Sequence, residues 1–146
     1  MRKNVCECFQ TEDKQLICMF KDDTVRKVDL TRLIDRYKDI LYVLKNKELL
    51  DSVQVGVGGY SVVFNESIEI QSNDLREIGL LLPLTANDFY NFVSRNIVDT
   101  TLACEMLQCS RQNLSYLVKE DKIKPVICGT KENMYLRGEL ERIMNE

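Results

Sequence analysis

Residues 100–136 read TTLACEMLQCSRQNLSYLVKEDKIKPVICGTKENMYL, and this stretch decides the fold of the second half of the chain. Apolar residues recur at helical spacing on both sides of residues 108–109, which predicts two helices joined by a tight turn. Ser110 is a good N-cap for the second helix. The apolar positions are Leu102, Ala103, Met106 and Leu107 in the first helix, and Leu114, Leu117 and Val118 in the second.

The residues after the second helix are typical of a hairpin followed by a further helix. Residues 123–128 and 133–136 predict two short strands, and the Gly-Thr-Lys-Glu sequence of residues 129–132 predicts the turn between them. The terminal segment Arg137–Met144 is expected to form a helix that closes this domain, because its apolar residues also recur at helical spacing. They are Leu140, Ile143 and Met144.

This order of elements resembles the winged helix-turn-helix of the MerR and excisionase group. The matching pieces are TLACEMLQCSRQNLSYLVKEDKIKPV, residues 101–126, and MYLRGELERI, residues 134–143. Ala103 matches the small residue at which the two helices of that family touch, and residues 110–112 match the polar trio that opens its recognition helix. The resemblance covers about a third of the chain. It implies that the second helix lies in the major groove of double-stranded DNA, while the wing reaches a neighbouring backbone or minor groove.

The exposed face of the second helix and the hairpin supply the predicted DNA contacts. Hydrogen-bonding side chains at the start of a recognition helix reach base edges, whereas flexible lysines suit phosphates. We expect base-edge contacts from Arg111, Gln112, Ser115 and Tyr116, phosphate contacts from Lys119, Lys122, Lys124 and Lys131, and a further DNA contact from Asn113.

The charge of this region does not by itself indicate DNA binding. Residues 97–146 contain seven Lys or Arg residues and eight Asp or Glu residues, whereas a non-specific DNA-binding domain is strongly basic. The whole chain has a net charge of −3, which argues against indiscriminate binding to polyanions. Two amphipathic helices and a hairpin also suit a protein-binding module. A protein-interaction adaptor or inhibitor is therefore the alternative function.

The first half of the chain predicts a small antiparallel sheet with a helix. The expected strands are Val5–Gln10, Gln15–Phe20, and residues 25–30, 52–57, 60–65 and 68–70. A helix is expected over residues 31–46, where apolar residues recur at helical spacing, and a brief helix ends at Ile78. The glycines at positions 56, 58 and 59 predict a hairpin turn, because a phosphate-binding loop would need a following Lys-Ser/Thr pair or helix.

Two pieces of this half resemble a small uncharacterised bacterial domain of the α+β class. They read MFKDDTVRKVDLTRLI (residues 19–34) and ESIEIQSNDLREIG (residues 66–79). That family has glycine where this chain has Asp23, so the geometry of this turn is expected to differ. Its members are often encoded beside a small toxin-like protein, which implies that this half binds a protein partner.

Few residues of the chain stand in a pattern typical of catalysis or of metal-ion binding. The chain has six cysteines and no histidine, and Cys6-x-Cys8 lacks the two-residue gap of a zinc knuckle. We therefore expect buried or free thiols rather than a metal site or disulfides, with redox sensing through Cys109 as a further alternative. Because no nucleophile–base pair is recognisable, the sequence predicts no enzyme, no cofactor and no metal.

The Leu-Leu-Leu-Pro-Leu sequence of residues 80–84 is predicted to divide the two halves. Pro83 disfavours a helix before it, and Thr85 can cap the helix that follows. That helix carries an apolar stripe, which either packs the two domains together or contacts a second copy of the chain. The stripe consists of Phe89, Phe92, Val93 and Ile97.

The sequence thus predicts an α+β protein with a small antiparallel-sheet domain and a winged helix-turn-helix. Residues 1–80 are assigned to dimerisation or partner binding, residues 81–98 to a linker and connecting helix, and residues 99–146 to DNA binding. The predicted function is a sequence-specific double-stranded DNA-binding transcriptional regulator, antitoxin-like or encoded by a phage or mobile element. We expect a homodimer with a small protein partner. No apolar run is long enough for a membrane span and no secretory signal is recognisable, which predicts a cytoplasmic location.

Overall fold

The computed structural model describes residues 3–146 and divides the chain into two units, Met1–Asp88 and Phe89–Glu146. Both contain helices and antiparallel strands, so the predicted α+β class is confirmed. The first unit contains β1 (Val5–Gln10), β2 (Gln15–Phe20), β3 (Thr24–Asp29), α1 (Ile40–Lys45), α2 (Lys47–Asp51), β4 (Val53–Val55), β5 (Ser61–Phe64), β6 (Ile68–Gln71), α3 (Ser72–Ile78) and β7 (Leu80–Thr85). Helix α4 (Ala86–Asn96) crosses the boundary, and the second unit continues with β8 (Ile97–Val98), α5 (Thr100–Leu107), α6 (Arg111–Lys119), β9 (Tyr135–Leu136) and α7 (Arg137–Met144).

Two antiparallel sheets contribute to the core of the first unit. The first has the strand order β1-β2-β3-β7, and the second has the order β4-β5-β6. The apolar sequence of β2 explains its central position, because residues 16–20 are all buried and an inner strand is covered on both faces. The largest fully buried side chains of this core are Leu16, Phe20, Leu30, Leu33, Ile40, Phe64, Ile70 and Leu75.

The prediction of one long helix over residues 31–46 is wrong. The chain forms a 3-10 turn at Leu30–Leu33, continues through further turns, and begins α1 only at Ile40. The Arg36 guanidinium pairs with two carboxylates of α3, at 2.7 and 3.0 Å. The Tyr37 hydroxyl accepts a hydrogen bond of 3.2 Å from the last backbone N–H of β6. These tertiary contacts favour a turn over a continuous helix.

The strand β7 includes residues 81–85, which the sequence assigned to a linker. These residues pair with β3 at the edge of the first sheet. Pro83 does not prevent the pairing, because an edge strand tolerates a residue without an N–H group. The predicted cap of the next helix is present: the Asp88 N–H donates to the Thr85 hydroxyl at 3.1 Å, and the Thr85 N–H donates to the Asp88 carboxylate at 2.9 Å.

The turn between β2 and β3 contains Asp23, where the resembled family has glycine. The φ angle of Asp23 is 71°, in the left-handed region that glycine adopts without strain. The Asp23 carbonyl accepts the Ala86 N–H and its carboxylate accepts the Asn87 N–H, both at 3.0 Å. Asp23 therefore satisfies two N–H groups at the start of α4. A glycine would provide only the first of these bonds.

The hairpin turn predicted from the glycines at positions 56, 58 and 59 connects β4 and β5, which pair antiparallel. A short 3-10 turn, Val57–Gly59, lies inside it. Gly59 has a φ angle of 77°, and a Cβ atom there would approach the Val5 carbonyl oxygen to 2.4 Å. This position therefore needs glycine both for its backbone conformation and for the close approach of β1.

The second unit has its own core, to which α5, α6, α7, the short strands and the segment after α6 contribute. Its buried residues are Val98, Ala103, Leu114, Ile123, Tyr135 and Leu140. The prediction of a strand over residues 123–128 is wrong. In this segment only Ile127 forms a β-bridge, and its partner is Met134. Pro125 has no N–H for a longer ladder. Strand β9 pairs with β8 instead. We call residues 126–134 the terminal hairpin. Within the part of the chain that the structure describes, no helix is long and apolar enough to cross a membrane.

Candidate nucleic-acid interface

Helix α6 presents one buried face and one exposed polar face. Leu114 is 1% exposed and packs in the same core as Ala103 of α5, while Leu117 and Val118 are half-buried at its edge. Ala103, at the position where the resembled family has a small residue, is fully buried in this core. All nine residues predicted to contact DNA have exposed side chains: Arg111, Gln112, Asn113, Ser115, Tyr116, Lys119, Lys122, Lys124 and Lys131.

A tight turn fixes where α6 begins. Gln108 adopts a left-handed conformation with φ of 51° and ends α5. The Cys109 N–H donates to the Cys104 carbonyl at 3.1 Å, and the Gln108 N–H donates to the Glu105 carbonyl at 3.3 Å. These two bonds form a Schellman motif, which satisfies carbonyls that the end of a helix leaves free. The Ser110 hydroxyl then accepts an N–H of the first turn of α6 at 3.1 Å, so Ser110 is the N-cap that the sequence predicted.

The Arg111 guanidinium forms a hydrogen bond with α5. Its Nη2 atom donates a hydrogen bond of 2.8 Å to the hydroxyl of Thr101, in the first turn of that helix. This bond uses one N–H group of the guanidinium and orients the group towards the start of α5. Sequence reasoning missed the role of Thr101, because the partnership depends on how the two helices cross.

A polar cleft of about 290 Å³ separates α6 from the terminal hairpin. Three of the predicted DNA-binding residues meet there, namely Arg111, Ser115 and Lys131. The remaining lining residues are Thr100, Leu114, Gly129, Glu132, Asn133 and Tyr135. Two cations and several hydroxyl and amide groups on its walls are suited to a phosphate group, although Glu132 adds one negative charge.

Two contacts determine the position of the hairpin beside α6. The Thr100 hydroxyl donates to the Asn133 carbonyl at 3.2 Å, which joins the start of α5 to the hairpin. At its tip, a Cβ atom on Gly129 would lie 2.0 Å from the Glu132 carbonyl oxygen, so only glycine allows this tight turn. Neither Thr100 nor Asn133 was predicted as a site residue, since their proximity follows from the pairing of β8 with β9.

Other predicted residues lie outside this cleft. Asn113 lines a second cleft of about 380 Å³ beside Cys109 and Met144. The Lys124 backbone N–H donates to the Glu139 carboxylate at 3.1 Å, so an acidic side chain of α7 lies close to this lysine. Lys122 follows the end of α6, and its backbone N–H donates to the Leu117 carbonyl at 2.9 Å.

The two arginines of α7 each pair with a glutamate four residues further along the chain. Arg137 and Glu141 form an ion pair at 3.0 Å, and Arg142 and Glu146 form another at 2.9 Å. Both pairs have the i,i+4 spacing of neighbours on a helix surface. The negative charge that balances this unit therefore lies partly on α7, whereas Arg111 and Lys131 face the polar cleft.

The groups that line the polar cleft can act through hydrogen bonds and charge. Among residues 3–146, no group of three or more Cys, Asp or Glu side chains is placed so that it could hold a metal ion. All six cysteines are free thiols.

No protein-family model matches this chain, and neither a curated protein nor a solved structure is significantly similar to it. The resemblance to the MerR and excisionase group therefore stays a prediction based on the residues quoted above.

Proposed function

We propose that this protein is a sequence-specific double-stranded DNA-binding transcriptional regulator, with residues 99–146 as a winged helix-turn-helix. The observation that supports the proposal best is the polar cleft, where Arg111 and Ser115 of α6 face Lys131 of the terminal hairpin. A recognition helix and a wing need this spatial relation, because the helix enters the major groove while the wing reaches the flanking backbone.

The exposed residues of α6 divide into two roles in this proposal. Arg111 and Gln112 lie in the first turn, from which side chains of a recognition helix reach base edges, and Ser115 and Tyr116 lie one turn later. Lysines at the end of α6, in the segment that follows it and in the terminal hairpin contact phosphates, which position the protein without reading sequence. They are Lys119, Lys122, Lys124 and Lys131.

The first unit provides contacts with a second copy of the chain or with a small protein in this proposal. Strand β7 lies at an edge of the sheet and exposes three leucines, Leu80 by 70%, Leu81 by 55% and Leu84 by 46%. Exposed apolar residues grouped on an edge strand are typical of a protein contact surface. An antitoxin-like regulator combines such a surface with a DNA-binding half.

Selection of bound sequences from random duplex DNA, followed by titration of the selected duplex at two salt concentrations, tests the proposal. We expect one preferred sequence, and an affinity for it that falls steeply as salt rises, because bound phosphates release counterions. Failure to enrich any sequence, together with no salt-dependent binding, would overturn the DNA-binding assignment.

One observation favours the alternative, a protein-interaction adaptor. The terminal hairpin exposes two adjacent apolar residues, Val126 by 47% and Ile127 by 53%, which a protein partner buries better than a phosphate backbone does. An adaptor predicts that replacing both with serine abolishes a protein complex. The DNA-binding proposal predicts that the same variant keeps the preferred duplex and its salt dependence.

A further inference from the structure

The Schellman turn between α5 and α6 brings two cysteines together. In this motif the side chains of the two outer residues, which share the longer-range backbone hydrogen bond, pack against each other. Those residues are Cys104, in the last turn of α5, and Cys109, directly before Ser110. Both thiols are half-buried at the edge of the second core.

The backbone geometry of this turn permits a disulfide. The hydrogen bond of 3.1 Å between the two cysteines limits their Cα atoms to a separation of roughly 7 Å. Disulfides span about 4.4–6.8 Å between Cα atoms, so little backbone movement is needed. Burial raises the pKa of Cys109, and the adjacent Cys104 thiol raises it further, consistent with neighbouring sulfur atoms.

Solvent reaches Cys109 through the second cleft. Cys109 lines this space of about 380 Å³ with Met106, Asn113 and Met144. Cys104 is not among the residues that line it, so a small reagent in this cleft meets Cys109 first. Cys109 is thus placed to attack an external disulfide, and Cys104 to complete the exchange.

We propose that Cys104 and Cys109 are a redox-modification site that reacts with a low-molecular-weight disulfide such as glutathione disulfide. The Cys109 thiol loses its proton, attacks one sulfur of glutathione disulfide, and releases one glutathione, which takes up that proton. The Cys104 thiol then loses its proton, attacks the Cys109 sulfur and releases the second glutathione. Two protein thiols are oxidised to one disulfide, and glutathione disulfide is reduced to two thiols.

The first unit contains a second pair of neighbouring cysteines that serves as an internal comparison. Cys8 of β1 and Cys18 of β2 lie directly opposite each other in the sheet. Burial raises the pKa of Cys8 to about 11 and also raises the pKa of the fully buried Cys18. Because the thiolate is the reacting form, the Cys8–Cys18 pair is expected to react more slowly than the Cys104–Cys109 pair.

The test is a mass measurement on the full chain after incubation with glutathione disulfide at mildly alkaline pH. Remaining thiols are blocked with iodoacetamide, and the protein is cut with trypsin. Trypsin cleaves after Arg95 and Arg111, so both thiols leave in one peptide, residues 96–111. We expect this peptide to lack two hydrogens and to carry no alkyl group, and dithiothreitol before blocking to restore two alkyl groups.

Two variants distinguish this site from incidental oxidation. Cys104→Ser removes the second thiol, so peptide 96–111 should retain one glutathione on Cys109. Cys8→Ser is the matched control, since it removes a thiol of the comparison pair and should leave the result for peptide 96–111 unchanged. A wild-type peptide that keeps both alkyl groups or stops at the mixed disulfide would overturn the proposal. The readout involves no DNA, so it is independent of the proposed function.

Discussion

Asp23 combines two properties that favour different residues. Its left-handed backbone favours glycine, whereas the cap on α4 needs a carboxylate. We expect Asp23→Ala to lower the free energy of unfolding by about 1–2 kcal/mol, because alanine loses the cap and keeps the strained φ angle. Asp23→Gly should lower it by less, because glycine relieves the strain. Urea unfolding followed by circular dichroism measures both changes.

Asp39→Ala is the control for this pair of variants. Asp39 immediately precedes α1 but makes no side-chain hydrogen bond to the start of that helix. Its replacement should therefore change the free energy of unfolding by no more than about 0.5 kcal/mol. An Asp23→Gly protein that is less stable than the Asp23→Ala protein would contradict the account of the left-handed turn.

Asp22, next to Asp23, pairs with Arg76 of α3 at 2.9 Å. Burial raises the pKa of Asp22, but hydrogen bonds from Thr24 and Arg76 outweigh it and lower this pKa from 3.8 to about 2. A group whose pKa is lower in the folded state stabilises the protein above its unfolded pKa, and this contribution is lost as the pH falls through the folded pKa.

Replacing Asp22 with Asn should therefore matter only where the carboxylate is charged. We expect Asp22→Asn to lower the free energy of unfolding by about 2 kcal/mol at neutral pH. The difference from wild type should shrink as the pH falls from about 4 towards 2 and nearly vanish below that range. Urea titrations at several pH values measure it. A difference that is the same at every pH would mean that the charge of Asp22 does not stabilise the fold.

At the scale of elements, α6 and the terminal hairpin face one cleft but are expected to recognise different parts of DNA. The arginine fork can bind one base with two hydrogen bonds, whereas a hairpin lysine suits a phosphate. We expect Arg111→Ala to weaken binding to the selected duplex by about 1–3 kcal/mol and to random duplex much less. Lys131→Ala should weaken binding to both duplexes by similar factors. It should also reduce the slope of log affinity against log salt concentration by about one unit. Fluorescence anisotropy titrations measure these effects.

The hydrogen bond between Arg111 and Thr101 refines this experiment. Thr101→Val removes the acceptor while Arg111 remains, so discrimination between the two duplexes should fall part of the way towards that of Arg111→Ala. Arg142→Ala is the charge-matched control, because it removes one positive charge from α7. If Arg111→Ala and Arg142→Ala cause the same loss of affinity for the selected duplex and the same loss for the random duplex, the recognition-helix assignment fails.

The sequence predicts the elements that depend on neighbouring residues. It does not predict those that depend on contacts between residues far apart in the chain. The apolar period and the Ser110 cap located α5 and α6, and β1 and β2 have the predicted bounds. The helix over residues 31–46 failed because Tyr37 and its β6 partner are 34 residues apart in the sequence. In the candidate site, the apolar face of α6 predicts that Ser115 is exposed, and it is. The position of Asn133 depends on strand pairing that no local pattern indicates.

At the scale of the whole molecule, two copies are expected, since one winged helix contacts only a short half-site. Exposed leucines of β7 are our candidate for the dimer contact. We expect sedimentation velocity to show a homodimer, and Leu84→Lys to shift it towards the monomer. Leu41→Lys is the matched control, because Leu41 is 43% exposed and Leu84 is 46% exposed. A wild-type monomer both free and on DNA would contradict this prediction.

Strand β7 also bears on the solubility of the protein before any partner covers it. A leucine-rich edge strand is a template for fibrillar aggregation, since a further strand can extend its backbone ladder. Pro83 interrupts that ladder in the middle of the strand, because it has no N–H to donate. We expect Pro83→Val to form thioflavin-T-positive aggregates sooner than wild type on gentle warming, at equal concentration. The proline that resembled a boundary between domains would then act as a gatekeeper against amyloid-like assembly.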